Sequence, residues 1–403
     1  MIYNHIQHSD YIASALPGIL DTMFTTDTLV LCDTRLLIKH DVLPHIPYVQ
    51  YYDQRVLPII KNTTLILADG LDSRILSYFQ SFGLCENVDI IDVPNNPEHT
   101  LTEIILWDSN LIEKIRARKF KKIVPLFVDS SVEKLAEILG IQLISSKEIV
   151  TRANNKLELK KYLLSVSLPT VEWTYTDSLS IISDYFSRTE HYFFKSPLWV
   201  SWYGFWSNKN NSLDQILSQY EGKEIIIERV IEKIWSPSIQ FFIDPLTWDG
   251  YIFAFTDQIL ENWQHYLWNS SPSSFLLSHP NIIDNIIEQS ECIIEYIKSI
   301  WYVWFWWIDF MIDGQGYVYA TEVNARFTGA TYPAITSILL HKSVDVSWQY
   351  MTHEGQLGTI PEYLERSIQF QGEYWVFPLC IWPLESYWKV QILEMFPKLI
   401  DEL

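Results

Sequence analysis

Short apolar runs alternate with amphipathic stretches through the first 150 residues. LVLCD (29–33), TLILAD (64–69), VDIIDV (88–93) and KIVPLFVD (122–129) have the pattern of buried strands. Between them, DSRILSYFQSFG (72–83) and SSVEKLAEILG (130–140) carry apolar residues at helical spacing, the second closed by Gly140 as a terminator. Strand, helix and strand in repetition predict a parallel sheet with right-handed crossovers. No GxGxxG follows the first strand, so this layer is expected to support or contact substrate rather than hold a dinucleotide by itself.

The pattern changes from Thr151. NNKLELKKYLLSVSLPTVEW (154–173) predicts an asparagine-capped, lysine-rich helix that leaves through Pro169 into a strand. HYFFKSP (191–197) and KEIIIERVI (223–231) read as further strands, and SPSIQFFID (236–244) with GYIFAFTDQIL (250–260) as an antiparallel pair. PNIIDNIIEQSECIIEYIKSI (280–300) is a long amphipathic helix, followed by strands VWFWWIDFMID (303–313) and YVYATEVNAR (317–326) joined by DGQG. An α/β domain over 1–150 is thus followed by an α+β region, parsed as 151–235, 236–350 and a C-terminal extension over 351–403. No internal repeat or low-complexity tract is evident.

Size and charge narrow the possibilities. At 403 residues the chain exceeds the range of a single core. With 29 basic and 49 acidic residues its net charge of −20 repels phosphate backbones and anionic membranes, so neither nucleic acid nor membrane is an expected partner. Cys32, Cys85, Cys292 and Cys380 lie far apart without a CxxC pair, which argues against a zinc site or disulfide framework and fits a reducing cytoplasm. MIYNHIQHSD lacks a signal peptide's basic and apolar regions. The apolar stretch from Ile300 to Ile308 stops at Asp309, about half a membrane span. His191, His265, His279 and His341 lack metal spacing or a nucleophile partner and are expected to be structural or at the surface.

The strongest chemical constellation is Asp309, Glu322 and Asn324. If 313–316 form a four-residue hairpin loop, Ile312 pairs with Tyr317, Asp309 lies opposite Ala320, and the three oxygen-bearing side chains share one face. Diagonal neighbours on such a face lie about 7–8 Å apart, a gap suited to oxygen ligands converging on magnesium. The alternative is a polar, solvated hairpin face; the apolar flanks favour the metal.

Asp309 with Glu322-Val323-Asn324, then Arg326 and Thr328-Gly329-Ala330, resembles the metal-binding segment of the ATP-grasp superfamily of ATP-dependent carboxylate-amine (or thiol) ligases. The family's parts occur in order over most of the chain: an α/β domain, a lysine-bearing helix, a lysine strand with a glycine-rich loop, a linker strand with glutamate, and the metal hairpin. The resemblance implies a parallel α/β domain followed by a two-subdomain ATP-grasp fold, with ATP and Mg²⁺ as cofactors (Mn²⁺ an alternative).

By that resemblance Lys156 and Lys195 contact nucleotide phosphate, where lysine serves as a mobile point charge; a solvated helix face is the alternative for Lys156. Glu228, Val230 and Ile231 resemble the hinge that reads the adenine edge. The family's following ribose acid is missing, since positions 235 and 236 are Trp and Ser, and Glu232 is its substitute. Arg326 is expected to face the metal and hold the acyl-phosphate or tetrahedral intermediate by paired hydrogen bonds.

The phosphate lid carries an anomaly. Average usage gives a chain of this length about 28 glycines; this one has 13 glycines and 17 tryptophans. The lid, SPLWVSWYGFW (196–206), resembles a nucleotide loop over Trp199, Ser201, Trp202 and Gly204, where backbone N–H groups must approach phosphate closely. Replacing Trp199, Trp202 and Trp206 by glycine gives SPLGVSGYGFG, and the same operation turns VWFWWIDF into VGFGGIDF. The expectation is that the gene reads UGA as glycine and that the sequence was translated with UGA as tryptophan. Three real indoles in the lid would instead block phosphate closure.

The implied reaction joins a small carboxylate to an amine acceptor, an amino acid or peptide, through an acyl-phosphate. No serine triad or reactive-cysteine pattern is present, in keeping with catalysis by positioning and electrostatics. The alternatives are a degenerate ATP-grasp protein that binds nucleotide without turnover, and an ATP-dependent carboxylating or carbamoyl-transferring enzyme.

Overall fold

Period-two alternation divides the first strands between two cores. In the computed structural model, which describes residues 14–38, 43–46, 49–198, 205–220, 223–261, 265–341, 347–368, 375–381, 384, 387 and 389–396, five strands form a parallel sheet. They are β1 (Thr28–Leu31), β2 (Thr64–Ala68), β3 (Asp89–Val93), β4 (Lys122–Pro125) and β5 (Gln142–Leu143), in the order β3-β2-β1-β4-β5. Leu29, Leu31 and Ile66 pack on one face against the helices Leu101–Trp107 and Ser130–Leu139. Val30, Leu65 and Leu67 pack on the other, against Phe377, Leu379 and Ile392 near the C-terminus. Adjacent residues of a strand point to opposite faces, so a continuous apolar run is what a sheet covered on both sides requires.

Helix ends follow local capping chemistry. The Asp129 side chain accepts from the N–H groups of Ser131 and Val132, Thr100 and Glu103 form a capping box, and Gly140 ends its helix at φ 67°.

Four antiparallel strands form a small second sheet: β6 (Trp173–Thr176), β7 (Tyr192–Lys195), β8 (Phe205–Ser207) and β9 (Ile225–Arg229), ordered β6-β9-β7-β8. Its modest core is built from Ile182, Tyr192, Phe194, Ile216, Tyr220, Ile225 and Ile227.

The third sheet holds the hairpin that carries Asp309, Glu322 and Asn324. It contains β10 (Lys233–Trp235), β11 (Pro237–Ile243), β12 (Gly250–Glu261), β13 (His265–Ser271), β14 (Trp304–Asp313), β15 (Val318–Asn324), β16 (Ser347–Glu354), β17 (Trp375–Cys380) and β18 (Lys389–Phe396). Its order is β10-β14-β11-β12-β13-β16-β18-β17, with β15 on β14. The C-terminal strands thus continue this sheet and share a core with one face of the parallel one, the 49–59 segment contacting both β2 and β17. No described helix is long and apolar enough to cross a membrane.

The β14–β15 register departs from expectation. Ile312 pairs with Val318, not Tyr317, because Tyr317 donates its N–H to the Asp313 carboxylate and stays in the loop. A bulge at Thr321 then shifts the ladder, so Asp309 lies opposite Glu322 rather than Ala320. The Thr321 hydroxyl donates to the Asp309 carbonyl at 2.9 Å, fixing the extra residue.

Candidate functional site

Alternation along β14 separates core from chemistry. Trp306, Ile308, Phe310 and Ile312 are buried, while Trp307, Asp309 and Met311 point to the opposite, half-buried face. Directly opposed side chains on a sheet lie about 4.5–5.5 Å apart at Cβ, so the Asp309–Glu322 pairing sets two carboxylates closer than the expected diagonal. Burial first, and then the Glu322 charge, push the Asp309 carboxyl up to about 8. Its oxygens accept from Gln258 Nε2 at 2.7 Å, Trp307 Nε1 at 2.9 Å and Asn324 Nδ2 at 3.1 Å. The three expected metal-binding residues are therefore on one face. Among the described residues no group of three or more His, Cys, Asp or Glu side chains is placed to hold a metal; this site has two carboxylates and an amide. That set suits a hard cation which takes its remaining oxygens from elsewhere.

The helix Lys156–Ser165 delivers two lysines. Asn155 caps it through the N–H groups of Leu157 and Glu158, which sets Lys156 at the first helical position. Lys156 Nζ donates to Glu322 Oε1 at 2.9 Å and the residue is buried, so the solvated-face alternative is wrong. Its backbone N–H bonds to the Pro197 carbonyl at 2.9 Å, tying the helix start to the segment that leads into the lid. One turn on, on the same face, Lys160 meets Glu228 Oε2 at 2.5 Å, and Lys195 on β7 meets Glu228 Oε1 at 2.7 Å. Burial alone would raise the Glu228 carboxyl, but the two lysines override it and hold it at about 2. Burial lowers Lys160.

Glu228 is thus a clasp between two cations, not an acid facing open space. Val230 commits its N–H to the His191 carbonyl at 2.8 Å. Ile231 is half-buried and Glu232 exposed along the segment that leads into β10. On β10, burial brings Lys233 down to about 8, beside Asp309 and Lys195.

Arg326 is buried, with Nη1 donating to Asn154 Oδ1 at 2.9 Å; the same oxygen accepts the Ala325 N–H at 3.0 Å. Burial lowers the guanidinium, and the charges of Glu322 and Asp309 oppose that shift. Four lid positions, Trp199, Ser201, Trp202 and Gly204, lie outside the described residues.

Sequence reasoning missed Lys160, Asn154, Gln258 and Lys233. For Lys160 a signal existed, its four-residue spacing from Lys156. Asn154 is the first residue of the NNK tripeptide, where Asn155 alone had a recognisable capping role. Gln258 and Lys233 belong to no local motif.

No family model and no curated protein matches the chain by sequence. Solved structures match it by shape. An N5-carboxyaminoimidazole synthetase from Staphylococcus aureus complexed with ADP has a TM-score of 0.58 at 13% identity, covering 93% of this chain and 94% of that one. The biotin carboxylase domain of a Hydrogenobacter thermophilus 2-oxoglutarate carboxylase, in complex with MgADP, ADP and bicarbonate, has a TM-score of 0.57 at 12% identity over 92% and 86%. A Campylobacter jejuni biotin carboxylase–ATP analogue complex gives 0.56 at 12% over 92% and 87%. The chain has the ATP-grasp fold that the motif resemblance implied.

Proposed function

We propose that the protein is an ATP-dependent, ADP-forming ligase that activates a small carboxylate as an acyl-phosphate and passes it to an amine. The observation that carries this reading is the placement of Asp309, Glu322 and Asn324 on one sheet face, with Lys156 bonded to Glu322, Arg326 just beyond the strand end within reach of the Glu322 and Asp309 charges, and Lys195 and Lys160 held together by Glu228. The chain divides on this reading into an α/β domain (1–150), a lysine and lid subdomain (151–235), a metal-hairpin subdomain (236–350) and an extension (351–403).

Asp309, Glu322 and Asn324 would hold Mg²⁺, for which Mn²⁺ could substitute, because two opposed carboxylates and an amide oxygen are the hard oxygen donors such a cation takes. Such an ion would supply positive charge to offset the charge that develops on the transferred group. Lys195 and Lys156 bind the phosphates, each exchanging a carboxylate partner for a phosphate oxygen. Segment 228–232 borders the base and ribose, with Glu232 the exposed acid on it. Arg326, fixed by Asn154, holds the tetrahedral oxyanion when the amine attacks. No protein nucleophile is required.

The structural neighbours favour a second reading. One is a carboxylase domain in complex with bicarbonate and another a carboxyaminoimidazole synthetase, so bicarbonate could be the carboxylate activated. The test is ADP release by the chain with its lid and hairpin tryptophans changed to glycine. Release that needs a carboxylate and an amine together supports the ligase, and release that needs bicarbonate supports carboxylation. ADP release that no acceptor stimulates sinks both.

A further inference from the structure

Three tryptophans occupy backbone that favours glycine. Trp248, Trp301 and Trp304 have φ of 63°, 66° and 88°, the left-handed region in which a side chain crowds the neighbouring carbonyl. The other described non-glycine residues there are Asn62, Asp69, Cys85, Asn87, Lys119 and Ser167, mostly short and polar.

Trp301 is the most telling. It follows the helix Pro280–Ser299, with its N–H bonded to the Lys298 carbonyl at 2.9 Å and the Tyr302 N–H to the Ile297 carbonyl at 3.2 Å. Gly140 closes its helix by the same two bonds, to Glu137 at 3.1 Å and from Ile141 to Ala136 at 3.0 Å, and Gly83 closes Ser73–Ser81 likewise. This paired bonding defines the Schellman terminus, whose left-handed residue is usually glycine. Packing gives the Trp301 indole little reason to be there. It is 69% exposed, and its ring meets that of Trp248 edge-on, with centroids 5.2 Å apart. Trp248 is itself the left-handed residue in the loop between β11 and β12.

Trp304 lies inside, where its indole N–H is buried with no hydrogen-bond partner. Trp307 bears on the chemistry, since its N–H occupies an Asp309 oxygen that a cation would use.

We infer that the protein in its source cell carries glycine at 248, 301, 304 and 307, its UGA codons being read there as glycine, and that this glycine form is the working one. Position 307 rests on the ligase reading; positions 248, 301 and 304 stand on backbone geometry alone.

Trypsin cuts after Lys298 and Arg326, which releases residues 299–326 as one peptide carrying Trp301, Trp304 and Trp307 beside all three proposed metal ligands. Fragment masses of this peptide from source-cell protein are expected to place glycine at 301, 304 and 307. Tryptophan at 301 or 304 overturns the inference and leaves the ligase reading untouched. For the full chain made with standard decoding, Trp301→Gly should raise the thermal midpoint by about 1–3 °C, with Trp301→Ala falling short of it. A lower midpoint for Trp301→Gly than for the unmodified chain overturns the inference by a route independent of ATP turnover.

Discussion

Lys156 and Glu322, 166 positions apart in sequence, meet at 2.9 Å between Nζ and Oε1. The contact joins the first residue of the lysine helix to a proposed metal ligand, so the proposed phosphate and cation sites are linked by one ion pair. Lys156→Met in the glycine-restored chain is expected to cut ADP release at least tenfold. Lys156→Arg should restore little of it, because a planar guanidinium does not replace a compact ammonium on a short buried path. An initial-rate assay across Mg-ATP concentrations checks both.

Glu228 should be important to stability independently of turnover. Glu228→Gln removes the charge that Lys160 and Lys195 share, and breaking such a buried pair costs about 3–5 kcal/mol. Its carboxyl ordinarily titrates at 4.5 and is held at about 2 in the fold. A depressed folded value means that the stabilisation is complete above pH 4.5 and is lost as pH falls from there towards 2. Denaturant midpoints of the two proteins are therefore expected to converge across that window and to stay apart at neutral pH.

Asn154 positions Arg326 through one oxygen that also accepts the Ala325 N–H. Asn154→Ala is expected to lower kcat about 10- to 100-fold with a smaller change in KM for ATP, since Arg326 is proposed to act on the acyl centre rather than on nucleotide. Asn154→Asp keeps the oxygen and adds charge, and should retain more activity than the alanine variant. Steady-state kinetics on the three proteins check this, and an unchanged unfolding midpoint separates positioning from a general loss of fold, which would lower apparent kcat and the midpoint together.

Asp309→Asn and Glu322→Gln should abolish the stabilisation that Mg²⁺ with ADP gives to the glycine-restored chain. A ligand at 100 times its dissociation constant stabilises by about 2.7 kcal/mol. Thermal unfolding with and without Mg-ADP reads the effect directly, and an undiminished shift in Asp309→Asn would remove this residue from the metal set.

Much of this arrangement was legible in the sequence. The parallel strands announced themselves as apolar runs because both faces of that sheet are covered, and the Asn155 cap and Gly140 terminator act through local bonds. The hairpin of β14 and β15 was readable too, but its register was not. That depends on which acceptor captures the Tyr317 N–H and on where an unpaired Thr321 is lodged. Lys160 was missed for a different reason. A lysine on a helix defaults to solvent, and only a glutamate on a distant strand makes its burial affordable. Gln258, 51 residues ahead of the aspartate it contacts, had no pattern to betray it.

The Thr321 bulge separates the tip of the hairpin from its working end. Residues 313–317 turn the chain, whereas the opposition of Asp309 and Glu322 is set on the far side of the bulge by the Thr321 hydroxyl. Three ladder pairs and the bulge thus stand between the turn and the two carboxylates, which makes the tip the natural place to attach a label or a tether.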